Sequence, residues 1–223
     1  MKVKLVSYSK PSSEFADETG MHNLEELVAY CARVSNPSNQ LNSNTAKLIK
    51  YLVDNKHWSP LEMVSVTLEI ETTRDIARQI LRHRSFSFQE FSQRYADPTK
   101  ELNFEVREAR LQDLKNRQNS ISENVDPYVA GGWDTVQRNA IEHAQLAYKW
   151  AIESGIAKEQ ARAVLPEGLT QSRLYMAGTL RSWIHYIQLR SENGTQREHM
   201  EIARRCGEVI GEIFPLMNEF VKV

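Results

Sequence analysis

Apolar and polar residues alternate most cleanly over residues 63–71, where Val64, Val66, Leu68 and Ile70 are interleaved with Ser65, Thr67, Glu69 and Glu71. A period of two sends successive side chains to opposite faces, so this stretch predicts a strand with one buried and one polar face. Residues 3–7 alternate more modestly and predict a second strand. Elsewhere the period lengthens to three and four, which predicts amphipathic helices at about 24–34, 43–55 with Ser43 as its cap, 74–82, 135–154 and 158–164. A final stripe of Ile202, Cys206, Val209, Ile213, Leu216 and Phe220 predicts one last helix, its apolar side facing the core or a subunit interface. Short strands are expected at 92–95 and 102–104. The polar run 105–134 contains Asp126-Pro127 and Gly131-Gly132 and reads as a long loop, with one helix at 107–116. Leu165-Pro166-Glu167-Gly168 is a break, and the segment after it fits strand or helix.

Composition narrows the classes. With 223 residues, 41% hydrophobic and 26% charged, the chain can bury a core and is expected to form one domain over 1–223. A net charge of -1 gives no global reason to bind nucleic acid or an acidic membrane, so any anion site must be local. Cys31 and Cys206 sit in helical apolar patterns, which supports neither a disulfide framework nor a zinc site and predicts core thiols in a reducing compartment. The opening residues carry too short an apolar run for a signal peptide, and no stretch approaches the roughly 20 apolar residues of a membrane span. A cytoplasmic protein is expected.

The candidate chemistry concentrates in Arg82-His83-Arg84-Ser85-Phe86-Ser87-Phe88-Gln89-Glu90-Phe91-Ser92-Gln93-Arg94-Tyr95. Guanidinium groups stay charged and present a planar fork of donors suited to phosphates, and the interleaved aromatics suggest a partly buried wall. Helical spacing puts Gln79 and Arg82 on one face, and strand alternation would put Glu90, Ser92 and Arg94 on another. Such a set offers what a nucleotide monophosphate needs: cations and a hydroxyl for phosphate, an amide and a carboxylate for ribose or base. His83, between two arginines, should stay neutral. Three further places carry candidates. Ser59-Pro60 looks like a helix cap, Arg162 lies among apolar residues in Ala161-Arg162-Ala163-Val164-Leu165-Pro166, and Arg181, His185 and Gln188 share a face that leads to Arg190 and Thr195-Gln196-Arg197-Glu198. A nucleotide- or nucleic-acid-binding module fits the arginine and aromatic interleaving, although the balanced charge and lack of a basic tail speak against it.

Arg82-His83-Arg84 followed by seven residues and Ser92 resembles the signature of the flavin-dependent thymidylate synthases, and matching blocks recur in order from Ser59 to Gln196. The resemblance implies an α+β fold with a central, mainly antiparallel sheet flanked by helices, assembled as a homotetramer with active sites between chains. It implies methylation of dUMP to dTMP, with FAD reduced by NADPH, 5,10-methylenetetrahydrofolate as carbon donor, and no metal. Gln79, Ile80, Leu81 and Arg82, then Glu90, Phe91, Ser92, Gln93 and Arg94, then Arg162 and Arg190 fall at positions that bind dUMP. Ser59, Arg82, His83, Arg84, Glu90, Thr179, Leu180, Arg181 and His185 fall at positions that meet the flavin, and His57 would assist flavin or folate. Thr179 departs from the Asn found in many members. Neither cysteine has the context of a nucleophile, so the implied route to a reactive uracil C5 is electrostatic, with Arg190 as the catalytic guanidinium that stabilises the N3 anion.

Overall fold

The computed structural model describes residues 1–221. Strands β1 (Lys2–Tyr8), β2 (Ser65–Thr73), β3 (Ser87–Glu90) and β6 (Gln171–Thr179) form one sheet in the order β1-β2-β6-β3, every neighbouring pair antiparallel. A two-residue ladder, β4 (Leu111–Gln112) with β5 (Ser120–Ile121), makes a separate hairpin. Helices α1 (Ser13–Thr19), α2 (Leu24–Ala32) and α3 (Thr45–Asp54) follow β1, and α4 (Arg74–Ile80) follows β2 directly. The short α5 (Pro98–Glu101), the 27-residue α6 (Pro127–Glu153) and α7 (Lys158–Ala161) precede β6, after which come α8 (Leu180–Ser191), α9 (Arg197–Gly211) and α10 (Met217–Phe220).

The alternation in β2 does what its period dictates. Val66, Leu68 and Ile70 are fully buried, and their register partners across β6 include Met176 and Leu174, equally buried. Trp183, Ile184 and Ile187 of α8 and Ile202, Cys206 and Ile210 of α9 close the same core. The other face of the sheet stays polar: Arg173 of β6 donates to Glu71 of β2 at 2.6 Å. Apolar burial of this kind stabilises by roughly 25 cal/mol per Å², which is why the sheet lies with its apolar side against α8 and α9. Trp183 keeps its indole N–H satisfied inside this core by donating to the Val66 carbonyl at 3.0 Å.

Several expectations are corrected. The second early helix starts at Thr45 after Asn44, and no side chain caps it, so Ser43 is not the cap. Residues 92–95 are a turn, with the Tyr95 and Ala96 amides donating to the Ser92 carbonyl, and 102–104 contributes only a bridge from Phe104 to Thr170. The 107–116 helix is absent; the hairpin occupies that place. Gly131 and Gly132 lie inside α6, which begins at Pro127 because the Asp126 carboxylate accepts from the Tyr128 amide and proline suits a first turn. The final stripe is split: α9 stops at Gly211 and a break at Pro215 precedes α10. The segment after 168 is strand β6.

Candidate active site

Helix α4 ends at Ile80, and the chain turns through residues 81–86 before entering β3. That turn lays the Arg82-His83-Arg84 motif across α8. Arg190 Nε donates to His83 Nε2 at 3.0 Å, and Ser182 Oγ donates to the Ser85 carbonyl at 3.3 Å, so two bonds fasten the motif to opposite ends of the helix. The close approach requires Gly178, where an added Cβ would collide with the Phe86 ring. Phe86 in turn packs edge-on against Trp183 at 4.8 Å.

His83 is neutral, as the sequence suggested, but the neighbours differ. Burial first, then the charges of Arg190 and Arg82, push its pKa down to about 4. Because Nε2 accepts from Arg190, the ring proton resides on Nδ1. Tyr186 lies edge-on to His83 at 4.8 Å and shares a hydrogen bond with His199. His199 is completely buried and is driven to about 3 by burial, then Arg190 and His83. His199 also meets Gln79, whose Nε2 donates to Gln196 at 2.7 Å. Gln79, His83 and Arg190, each half-buried, thus belong with the buried His199 to one polar cluster between α4, α8 and the start of α9.

The second flavin block also gathers on α8. Arg181 is ion-paired with Glu62, and His185 stands edge-on to Trp58 at 4.4 Å, which brings the Ser59–Glu62 turn alongside α8. Ser59 is the first residue of that 3-10 turn and not its cap; Trp58 precedes it, and Pro60 occupies the early position that tolerates proline. His57 is exposed and touches Tyr51, away from this contact. Thr179 is the N-cap of α8, its hydroxyl accepting from the Ser182 amide.

Other predicted residues land elsewhere. Glu90 ends β3 and is held from behind, with Ser172 Oγ donating to it at 2.7 Å and the buried Arg74 guanidinium 3.6 Å away. Since the strand stops there, Glu90, Ser92 and Arg94 do not share a strand face. Arg94 lies 3.3 Å from the Glu159 carboxylate, and Arg162 Nε donates to the Glu159 carbonyl, so these two arginines meet at one residue. Gln93 is buried, and its amide nitrogen has no hydrogen-bond partner among the described residues. Leu81 and Phe91 are half-buried. Ile80 and Leu180 are fully buried in the core, so only their backbone is available to a ligand. Tyr95, read as part of a buried wall, is exposed. The arginine sets 82–94 and 162–190 touch within one chain at His83–Arg190 and at Glu159.

Arg74, Arg110, Ser172, Tyr186 and His199 were not among the candidate site residues that the sequence suggested. Arg74 follows β2 immediately, and a cation buried at a strand-to-helix junction has no periodic signature. Gln196 and Glu198 were visible as a polar pair, although nothing in the spacing revealed their link to Gln79. Among the described residues no cluster of His, Cys, Asp or Glu could hold a metal ion, and no helix is long and apolar enough to cross a membrane.

Comparison with known proteins places this architecture. Residues 17–216 match the family described as thymidylate synthase complementing protein, and the chain belongs to that family. It is 49% identical over 216 residues to the "Probable flavin-dependent thymidylate synthase" of Paramecium bursaria Chlorella virus 1, covering 96% of each chain. It is 47% identical over 215 residues to the flavin-dependent thymidylate synthase of Synechocystis sp., again over 96% of each. Among solved structures it resembles a UMP/dUMP methylase from Streptomyces cacaoi bound with 5-Br dUMP, with a TM-score of 0.77, 26% identity, and coverage of 98% of this chain and 93% of that one.

Proposed function

We propose that this chain is a flavin-dependent thymidylate synthase. It converts dUMP to dTMP, with 5,10-methylenetetrahydrofolate as carbon donor and FAD reduced by NADPH as hydride source. The observation that carries the reading is the 3.0 Å bond from Arg190 to His83, which joins the Arg-His-Arg motif to the Leu189-Arg190 pair. That bond uses Nε and fixes the guanidinium plane, leaving the two Nη groups to face a ligand. A guanidinium beside the N3–C4 edge of uracil stabilises the N3 anion and raises electron density at C5. This route asks nothing of a thiol. Burial raises both cysteine pKa values, that of Cys206 far above its ordinary value, so neither supplies a thiolate at neutral pH.

The residues along α8 fit a flavin dinucleotide. Arg82 and Arg84 are exposed guanidinium groups suited to a pyrophosphate, Ser59 adds a hydroxyl, and neutral His83 can lie beside a ring without carrying charge to it. Bound there, FAD supplies hydride chemistry that no side chain can. Gln79 and Glu90 address the nucleoside of dUMP; Ser92, the Gln93 amide, Arg94 and Arg162 address its phosphate. No side-chain bond links the Glu159 cluster to the His83 cluster among the described residues, which suits an assembly in which neighbouring chains complete one another's sites. The outer face of α6 supports such an assembly: Val129, Trp133, Val136 and Ala140 recur at steps of four and three, and Ala147 and Trp150 resume the stripe seven residues on, with Trp133 and Trp150 both exposed. We take the assembly to be a cytoplasmic homotetramer of one-domain chains. Anaerobic incubation of the protein with dUMP, methylenetetrahydrofolate and NADPH, with and without added FAD, tests the reaction. FAD-dependent dTMP is the expected product, and a folded, flavin-loaded protein that yields none would overturn the reading.

A further inference from the structure

Glu198, in the first turn of α9, is buried, and its carboxylate is ion-paired with Arg110 through one oxygen. Its other oxygen accepts from Gln196 Nε2 at 3.0 Å. An ionised carboxylate can only accept, so Gln196 must turn its NH2 toward Glu198 and its carbonyl away. That carbonyl accepts from Gln79 Nε2 at 2.7 Å. The Gln79 carbonyl is thereby turned to His199 Nδ1, 3.2 Å away, and Nδ1 must carry the ring proton. His199 Nε2 is then an acceptor, and the Tyr186 hydroxyl donates to it at 3.2 Å. The direction of every bond in this series follows from one acceptor-only group at its start.

Amide side chains are symmetrical in shape and differ only in which end donates. A reversed Gln79 would set two carbonyl oxygens against each other at the Gln196 contact and would force the His199 ring proton from Nδ1 to Nε2. In this partly buried contact the opposed oxygens would both lose their partner, which disfavours the reversed amide. We propose that Glu198 is a positioning residue: acting through Gln196, it fixes which end of the Gln79 amide donates and which accepts, so that Gln79 meets the nucleotide in one sense only. The proposal rests on the reading above, in which Gln79 contacts dUMP. Neither Glu198 nor Gln196 need touch the substrate. The remaining N–H and lone pair of Gln79 form a fixed donor and acceptor pair, which suits a uracil edge where N3–H donates and its flanking carbonyls accept.

The test uses full-length, FAD-loaded protein. Glu198→Gln preserves shape but can donate as well as accept, so the sense of the series is no longer dictated. The expected result is a KM for dUMP raised about tenfold with kcat lowered no more than about threefold, the size of one lost directional hydrogen bond. Glu198→Asp keeps an acceptor-only group and is expected to recover most of the KM. Independently, the protein is labelled with 15N-histidine and the tautomer of His199 is read by nitrogen chemical shift, its signals assigned by their loss in His199→Gln. The wild type is expected to carry the proton on Nδ1 and the Glu198→Gln variant to exchange between tautomers. A wild-type proton on Nε2 overturns the proposal, as does a Glu198→Gln protein with wild-type KM, even if its thermal stability has fallen. Absence of dUMP turnover in the wild type would overturn the functional reading alone, because the tautomer is read without substrate.

Discussion

The two arginine-bearing parts of the site are built in opposite ways. Around His83, each polar group is held by another inside the protein: Arg190 on His83, Tyr186 on His199, Gln79 between His199 and Gln196. Around Glu159, Arg94 and Arg162 lie nearer solvent, and what holds them is one partly exposed acidic residue. An interior that is already ordered loses little freedom when a ligand arrives, whereas exposed guanidinium groups must be gathered at that moment. The difference suggests a division of labour. On the function proposed above, the interior would supply orientation and electrostatic stabilisation, and the rim would attract the phosphate with the two arginines that Glu159 holds in the free protein.

That comparison breaks or sharpens according to the response of each part to substitution. The largest effect is expected for Arg190→Ala, which removes both the cation proposed to act on uracil and the bond that fixes His83. Loss of one such stabilising group is worth ~3 kcal/mol, so turnover should fall at least a hundredfold while the visible flavin spectrum is retained. Near wild-type turnover would end the assignment of Arg190. Next comes Arg94→Ala, where losing a charge-assisted contact to phosphate should raise the KM for dUMP roughly tenfold and spare kcat. A kcat loss equal to that of Arg190→Ala would erase the distinction between interior and rim.

A smaller effect is expected from pH. His83 and His199 are neutral when folded, with pKa values of about 4 and about 3, but titrate near 6.5 when unfolded. The unfolded chain therefore binds the extra protons first. Stability should be level above about pH 6.5 and fall as pH drops from there toward 4, the histidine contribution levelling off once both folded pKa values are passed. Thermal unfolding of wild type and His199→Gln between pH 7 and 5 checks this, since the variant should lose part of the slope in a range above most carboxylate titration. The smallest effect is expected for Glu159→Gln. Its ion pair with Arg94 is half exposed and worth at most about 1 kcal/mol, so freeing the guanidinium should change the KM for dUMP by less than about fivefold, and downward.

What the sequence disclosed followed the physics that leaves a periodic trace. Val64, Val66, Leu68 and Ile70 announced β2 because one face of that strand is dry. The Arg-His-Arg motif was conspicuous because clustered guanidinium groups need anions. The long α6 was half missed because Gly131 and Gly132 each cost about 1 kcal/mol in a helix, yet a 27-residue element with a proper Asp126 cap absorbs that cost. Ser43 and Ser59 were read as caps because serine caps well in isolation, whereas neighbouring residues fixed the helix starts elsewhere. His199 gave no signal at all. A buried histidine is defined by the groups that meet it from other elements, and Gln79 and Tyr186 lie 120 and 13 residues away from it.

The two outer strands of the sheet carry a consequence for how copies of this chain can join. β3 is only four residues long, and β1 slips register between Leu5 and Ser7 and exposes Lys2 and Lys4. Short, bulged or lysine-bearing margins make poor templates for a further strand. The sheet is therefore closed to growth by backbone pairing, and concentrated solutions should be protected against fibre-like stacking even when the polar sheet face is uncovered. Association between copies is therefore expected to proceed through side-chain surfaces, where the symmetry of the contact decides whether it closes.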